Sequence, residues 1–121
     1  MIERSHILVV EDDATITEFV ALALQDEGYA VTTAADGLAA LRSAAEDPPA
    51  LILLDMRMPI LDGVGFAAAY RQHPAPHAPI IVVTAARDAN LVAADVAADA
   101  VLAKPFELGA LLALVERFAP R

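Results

Sequence analysis

The 121-residue chain contains no cysteine and no tryptophan. Without cysteine it has no disulfide, no thiolate metal site and no thiol nucleophile. No apolar run approaches the roughly 18 residues that a membrane-spanning helix needs, so no membrane association is expected. The opening residues Met1-Ile2-Glu3-Arg4-Ser5-His6 do not form a basic segment followed by an apolar stretch, and the expected localisation is cytoplasmic. Positive charge is scarce, with eight lysines and arginines against seventeen aspartates and glutamates, for a net charge of −9. Such a chain is poorly suited to gripping a phosphate backbone, so no direct nucleic acid binding is expected. Lysine is scarcer still: seven of the eight basic residues are arginine, and Lys104 is the only lysine. There is no glycine-rich phosphate loop, which removes the common nucleotide-binding motifs.

What is present suits one globular domain. The apolar fraction is 58%, although 28 of those residues are alanine. The larger apolar side chains still make up roughly a third of the chain, well above the disordered range. A single domain of this length buries about two-thirds of the surface of its unfolded chain.

Three short runs do not alternate with polar residues: Ile7-Leu8-Val9-Val10, Leu51-Ile52-Leu53-Leu54 and Ile80-Ile81-Val82-Val83. Strands buried on both faces have this character, and they belong to parallel sheets covered by helices. Ala30-Val31-Thr32-Thr33-Ala34 and Ala100-Val101-Leu102-Ala103 fit flanking strands. Helical segments are expected at Ala14 to Glu27 with Gly28 as the stop, Leu38 to Glu46, Gly65 to Gln72, Asn90 to Ala97 and Glu107 to Phe118. Five βα units with right-handed crossovers give a flavodoxin-like α/β sandwich of three layers. Its parallel sheet is expected in the order 2-1-3-4-5.

Ligands of such sheets bind at the carboxyl ends of the strands. The residues that follow the strands there are Glu11-Asp12-Asp13, Asp55, Thr84 and Lys104-Pro105. Taken alone, the acidic triplet reads as a helix N-terminus, and Thr15-Ile16-Thr17-Glu18 offers a capping box. Asp55, directly after a buried strand, would bring a further carboxylate to the same rim. Two like charges about 4 Å apart repel by about 4 kcal/mol at an effective dielectric near 20, so the cluster calls for a cation or shifted pKa values. A donor set of oxygens alone favours magnesium, manganese or calcium. The histidines, His6, His73 and His77, read as surface or loop residues away from this rim. A carboxylate beside magnesium can act as a nucleophile toward phosphorus, with a hydroxyl and an ammonium to receive phosphoryl oxygens. Thr84 and Lys104 would supply these groups.

The segments Val9-Val10-Glu11-Asp12-Asp13, Leu54-Asp55-Met56-Arg57-Met58-Pro59-Ile60-Leu61-Asp62-Gly63, Val83-Thr84-Ala85 and Lys104-Pro105-Phe106 resemble the receiver domain of bacterial two-component response regulators. The resemblance covers essentially the whole chain in the right order and spacing. It implies one receiver domain over residues 1–121, with no output domain, that acts as a phosphorylation-driven switch rather than a turnover enzyme. It also implies Asp55 as the acceptor of a phosphoryl group from a histidine kinase or phosphotransfer protein. Small donors such as acetyl phosphate would also serve, and the domain would catalyse its own dephosphorylation. Glu11 and Asp12 would hold Mg2+ (or Mn2+) with Asp55 and the backbone carbonyl of Arg57. Thr84 and Lys104 would contact the phosphoryl group, and the Lys104–Pro105 bond would be cis. The downstream partner would be a protein target or a separate output domain.

The chain departs from the family pattern at several points. Val101 stands where relatives carry a tyrosine or phenylalanine that swings inward. Ala97-Ala98-Asp99-Ala100 replaces the usual Gly-Ala-Asp-Asp, and the preceding segment has no basic residue, which predicts a monomer or weak dimer. Arg57 and Ala86 occupy the two positions that tune phosphoryl lifetime in the family. Two other readings stay open at this point. One is a receiver-like interaction module that does not use phosphorylation. The other is a magnesium-dependent phosphohydrolase, which would need a general acid where Arg57 stands.

Overall fold

The computed structural model describes residues 5–58, 60–74, 76–85 and 96–120. Strand β1 (His6–Val10) is followed by α1 (Ala14–Asp26), β2 (Ala30–Ala34), α2 (Gly37–Glu46), β3 (Leu51–Asp55) and α3 (Gly63–Tyr70). Strand β4 (Ile80–Ala85), β5 (Ala100–Lys104) and a final helix, here α4 (Leu108–Phe118), complete the described elements. The five strands form one sheet in the order β2-β1-β3-β4-β5. Every pairing is parallel. This is the expected flavodoxin-like order. Of the helical segment expected at Asn90 to Ala97, residues 90–95 lie outside the described residues.

Alternation along the buried strands divides the core in two. Leu8, Val10, Ile52, Leu54, Ile80 and Val82 face α2 and α3, where Ala40, Phe66 and Tyr70 meet them. Ile7, Val9, Leu51, Leu53, Ile81 and Val83 face α1 and α4, where Val20, Leu24, Leu111 and Val115 meet them. The non-alternating runs are therefore apolar because each side of the sheet needs a core of its own. Tyr29 donates its hydroxyl to the Ala119 carbonyl at 2.8 Å, which ties the end of α4 to the start of β2.

Helix boundaries follow the caps. Helix α1 closes with Gly28 at φ 97. The Gly28 and Tyr29 amides return to the carbonyls of Gln25 and Leu24, a Schellman arrangement that a side chain at Gly28 would strain. At its start the expected capping box does not form. The N-cap is Asp13, whose Oδ1 accepts from the amides of Thr15 at 2.9 Å and Ile16 at 3.3 Å. Helix α3 begins two residues earlier than the spacing suggests. Asp62 caps it by accepting from the Gly65 amide at 2.9 Å, so the two glycines of its first turn belong to the helix despite their low propensity.

The histidine expectation needs one correction. His73 and His77 do lie in the α3–β4 connection, packed edge-on against Tyr70. His6 instead opens β1, and its side chain is only 15% exposed. Its Nε2 sits 2.5 Å from Thr32 Oγ1 on the neighbouring strand. All three remain at the amino ends of the strands, opposite the acidic rim. Among the described residues no helix is long and apolar enough to cross a membrane.

Candidate functional site

The carboxyl ends of β1, β3, β4 and β5 converge on one rim, and the acidic triplet there divides its work. Asp13 turns back to cap α1, while Glu11 and Asp12 remain available to the rim. Carboxylate oxygens of Glu11, Asp12 and Asp55 lie within 4.8 Å of one another. Glu11 and Asp55 are buried, at 6% and 7% exposure, and Asp12 is exposed. Lys104 ends β5 and reaches across to both buried acids. Its Nζ stands 2.9 Å from Glu11 Oε1 and 3.6 Å from Asp55 Oδ1.

These charges shift one another. Burial pushes the Glu11 carboxyl above the ordinary carboxylate range, and neighbouring Asp55 pushes the same way. The Lys104 ammonium and the Asp13 amide oppose that shift without cancelling it. Burial draws the Lys104 ammonium down, yet the Glu11 and Asp55 carboxylates outweigh it and leave Lys104 above its usual value. One ammonium thus serves two buried carboxylates with a third beside them. An added cation would relieve the surplus of negative charge. Hard oxygen donors of this number match magnesium better than a softer transition metal.

Thr84 is buried near the end of β4, one step beyond the Asp55–Val83 pair in register. The Arg57 amide donates to Asp55 Oδ1 at 3.4 Å, so the chain after β3 folds back over the Asp55 carboxylate. The Lys104–Pro105 peptide bond is cis. Val101 is paired in register with Val82 and packs with the core on the α2–α3 side, where it adds an apolar wall below the rim. Ala86 lies outside the described residues.

Gly63 also matters here, and hydrophobic spacing gave it no role. Its amide donates to the Met56 carbonyl at 3.2 Å. A Cβ at this position would stand 2.8 Å from Met56 Cα and 3.0 Å from the Asp55 carbonyl. The glycine lets α3 close against the residues that present Asp55. The Asp62-Gly63 pair is the sequence signal for such a turn, but the close approach itself depends on two separate elements.

A family model described as "Response regulator receiver domain" matches residues 7–116. The chain belongs to this family. Among relatives of the receiver domain, the transcriptional regulatory protein CseB of Streptomyces coelicolor is 37% identical over 95% of this chain and 49% of its own length. The transcriptional regulatory protein PrrA of Mycobacterium tuberculosis is 38% identical over 96% of this chain and 50% of its own. The receiver domain thus spans about half the length of these relatives. Solved structures agree on the fold. The chemotaxis protein CheY4 of Vibrio cholerae superposes with a TM-score of 0.84 at 32% identity, covering 96% of this chain and 99% of that one. The receiver domain of the sensor histidine kinase PA1611 of Pseudomonas aeruginosa gives 0.86 at 33% identity, covering 96% and 98%. That structure has a magnesium ion coordinated in its active site cleft. The chain is therefore a signalling module of the two-component type.

Proposed function

We propose that residues 1–121 form one receiver domain whose Asp55 carboxylate accepts a phosphoryl group from a phosphohistidine of a sensor kinase or phosphotransfer protein. The observation that carries this reading is the convergence on one rim of a buried Asp55, two further carboxylates and the chain's only lysine. A carboxylate oxygen of Asp55 attacks phosphorus and the donor's P–N bond breaks. The imidazole leaves with its bonding pair and takes up a proton. In water the same carboxylate would be a weak nucleophile. Here its position at the end of a rigid central strand supplies orientation, and Lys104 supplies a positive charge within reach of the transferring oxygens. Thr84, on the adjacent strand, offers a hydroxyl to the phosphoryl group once it is in place.

Glu11, Asp12, Asp55 and the Arg57 carbonyl would hold magnesium. When bound, the cation supplies charge neutralisation for the phosphoryl oxygens. Once phosphorylated, Asp55 carries additional negative charge, which draws Thr84 and Lys104 inward and shifts a pre-existing equilibrium of the rim. The resulting surface is read by a protein target or an output domain. Hydrolysis of the acyl phosphate returns Asp55 to its carboxylate and resets the switch. This autodephosphorylation makes the domain a timer rather than a turnover enzyme.

The test is intact mass after incubation with acetyl phosphate and magnesium. The expected result is one phosphoryl adduct on the wild type and none on Asp55→Asn, with the adduct lost when magnesium is chelated. A wild-type chain that forms no adduct under these conditions overturns the reading.

A further inference from the structure

The acidic pair sits in the three-residue connection Glu11 to Asp13, between β1 and α1. Three described groups brace Glu11. Its amide donates to the Ala34 carbonyl at 3.0 Å, its Oε2 accepts from the Asp13 amide at 3.3 Å, and its Oε1 takes the Lys104 ammonium. Asp12 is different. Its side chain is exposed, and among the described residues no hydrogen bond orients its carboxylate. Where that carboxylate points is therefore decided by the backbone on either side of it.

The Asp13 carbonyl accepts the Thr17 amide at 2.9 Å as part of the helix, while the Glu11 carbonyl is met by a side-chain hydroxyl. Thr17, half-buried in the first turn of α1, places Oγ1 3.0 Å from the Asp13 carbonyl and 3.2 Å from the Glu11 carbonyl. A bond from a helical threonine to the carbonyl four residues back is ordinary. The reach to the carbonyl six residues back is not a helix feature, because Glu11 precedes the helix. It fastens α1 to the residue directly after β1, and Asp12 lies between the two fastened carbonyls. Thr17 also lines the cleft between α1 and β2, together with Glu11 and Asp12.

We propose that Thr17 is a positioning residue of the metal site: its hydroxyl, one proton shared between the Glu11 and Asp13 carbonyls, ties the start of α1 to the residue after β1 and so aims the Asp12 carboxylate at Glu11 and Asp55. Thr17 itself touches neither metal nor phosphoryl group. Partners of this outer kind orient the ligands, and removing them weakens metal affinity without removing a ligand. The inference rests on the magnesium reading above and adds to it a residue outside the acidic cluster.

The experiment titrates the wild type, Thr17→Val and Thr17→Ser with magnesium, following backbone amide NMR shifts. Amide hydrogen exchange at Asp12 and Asp13 is measured in the metal-free proteins. Valine keeps the shape and loses the donor; serine keeps the donor and loses the methyl. The expected result is a magnesium Kd raised about tenfold in Thr17→Val and within about twofold of wild type in Thr17→Ser. Exchange at Asp12 and Asp13 is expected to speed up in the valine variant alone. An unchanged Kd in Thr17→Val overturns the proposal, as does an equal loss in both variants, which would assign the effect to the methyl group and packing. A wild type that shows no magnesium-dependent shift overturns the metal reading itself, an outcome distinct from the other two.

Discussion

Lys104 concentrates at one residue what the composition hinted. The chain uses arginine for every other positive side chain, and its single ammonium stands between Glu11 and Asp55. An ammonium is a compact point charge with freely directed donors, whereas guanidinium is a wide planar fork. With Nζ 2.9 Å from one acid and 3.6 Å from the other, the fork cannot occupy the same place without moving a carboxylate. Lys104→Arg is therefore expected to slow adduct formation from acetyl phosphate about tenfold, and Lys104→Ala about a hundredfold, as for the loss of one preorganised donor. A rate for Lys104→Arg equal to wild type would show that charge alone suffices. Lys104, Glu11, Asp12 and Asp55 were all legible in the sequence, because the end of each buried strand could be read and the rim follows from the topology. Thr17 was not. Within Thr15-Ile16-Thr17-Glu18 it reads only as an interior position of a capping box, whereas the cap is Asp13, which accepts from the Thr15 and Ile16 amides.

Two turns set where the functional strands begin and end, and each depends on one backbone position. At the turn before β5, Arg71 from the end of α3 donates to the carbonyls of Val96 and Ala97. Ala97 itself sits at φ 50, in the left-handed region. A non-glycine residue there costs about 1–2 kcal/mol, so Ala97→Gly is expected to raise stability by about 1 kcal/mol. Chemical denaturation would read this as a higher midpoint with an unchanged slope. A lower midpoint would mean that the entropy glycine gains in the unfolded chain outweighs the relief of strain. At the turn after β3 the sign reverses. A methyl on Gly63 would press on the backbone of Met56 and Asp55, and Gly63→Ala is expected to cost about 1–3 kcal/mol. Adduct formation at Asp55 is expected to fall with it, measured on the folded fraction. The three central strands are legible from unbroken apolar runs, since two cores demand apolar residues on both faces, while the flanking β2 and β5 carry a weaker signal. The start of α3 is not legible, because a glycine-rich first turn carries no helical signal and only the Asp62 cap reveals it.

Across the whole molecule the site trades folding stability for readiness to bind a cation. The proton held by Glu11 is bound more tightly in the folded chain than in the unfolded one, since burial and Asp55 raise its pKa. Its stabilising contribution is therefore complete below the ordinary carboxylate pKa and is lost as pH rises through the raised, folded-state value. At neutral pH the metal-free domain thus carries a destabilised rim. Lys104 acts in the same sense at the other end of the scale, for its raised pKa stabilises below its ordinary 10.5 and is lost as pH climbs beyond that. Magnesium binds the deprotonated carboxylates and competes with the Glu11 proton. The thermal stabilisation by magnesium is accordingly expected to be smaller at acid pH, close to the ordinary carboxylate value, than at mildly alkaline pH, where the Glu11 proton competes less. At a magnesium concentration of about 100 times Kd it should reach about 2.7 kcal/mol. Melting curves at both pH values, with and without the ion, would check this, using Asp12→Asn to confirm that the gain comes from the rim. An equal gain at the two pH values would mean that the ion binds where no proton competes, away from Glu11.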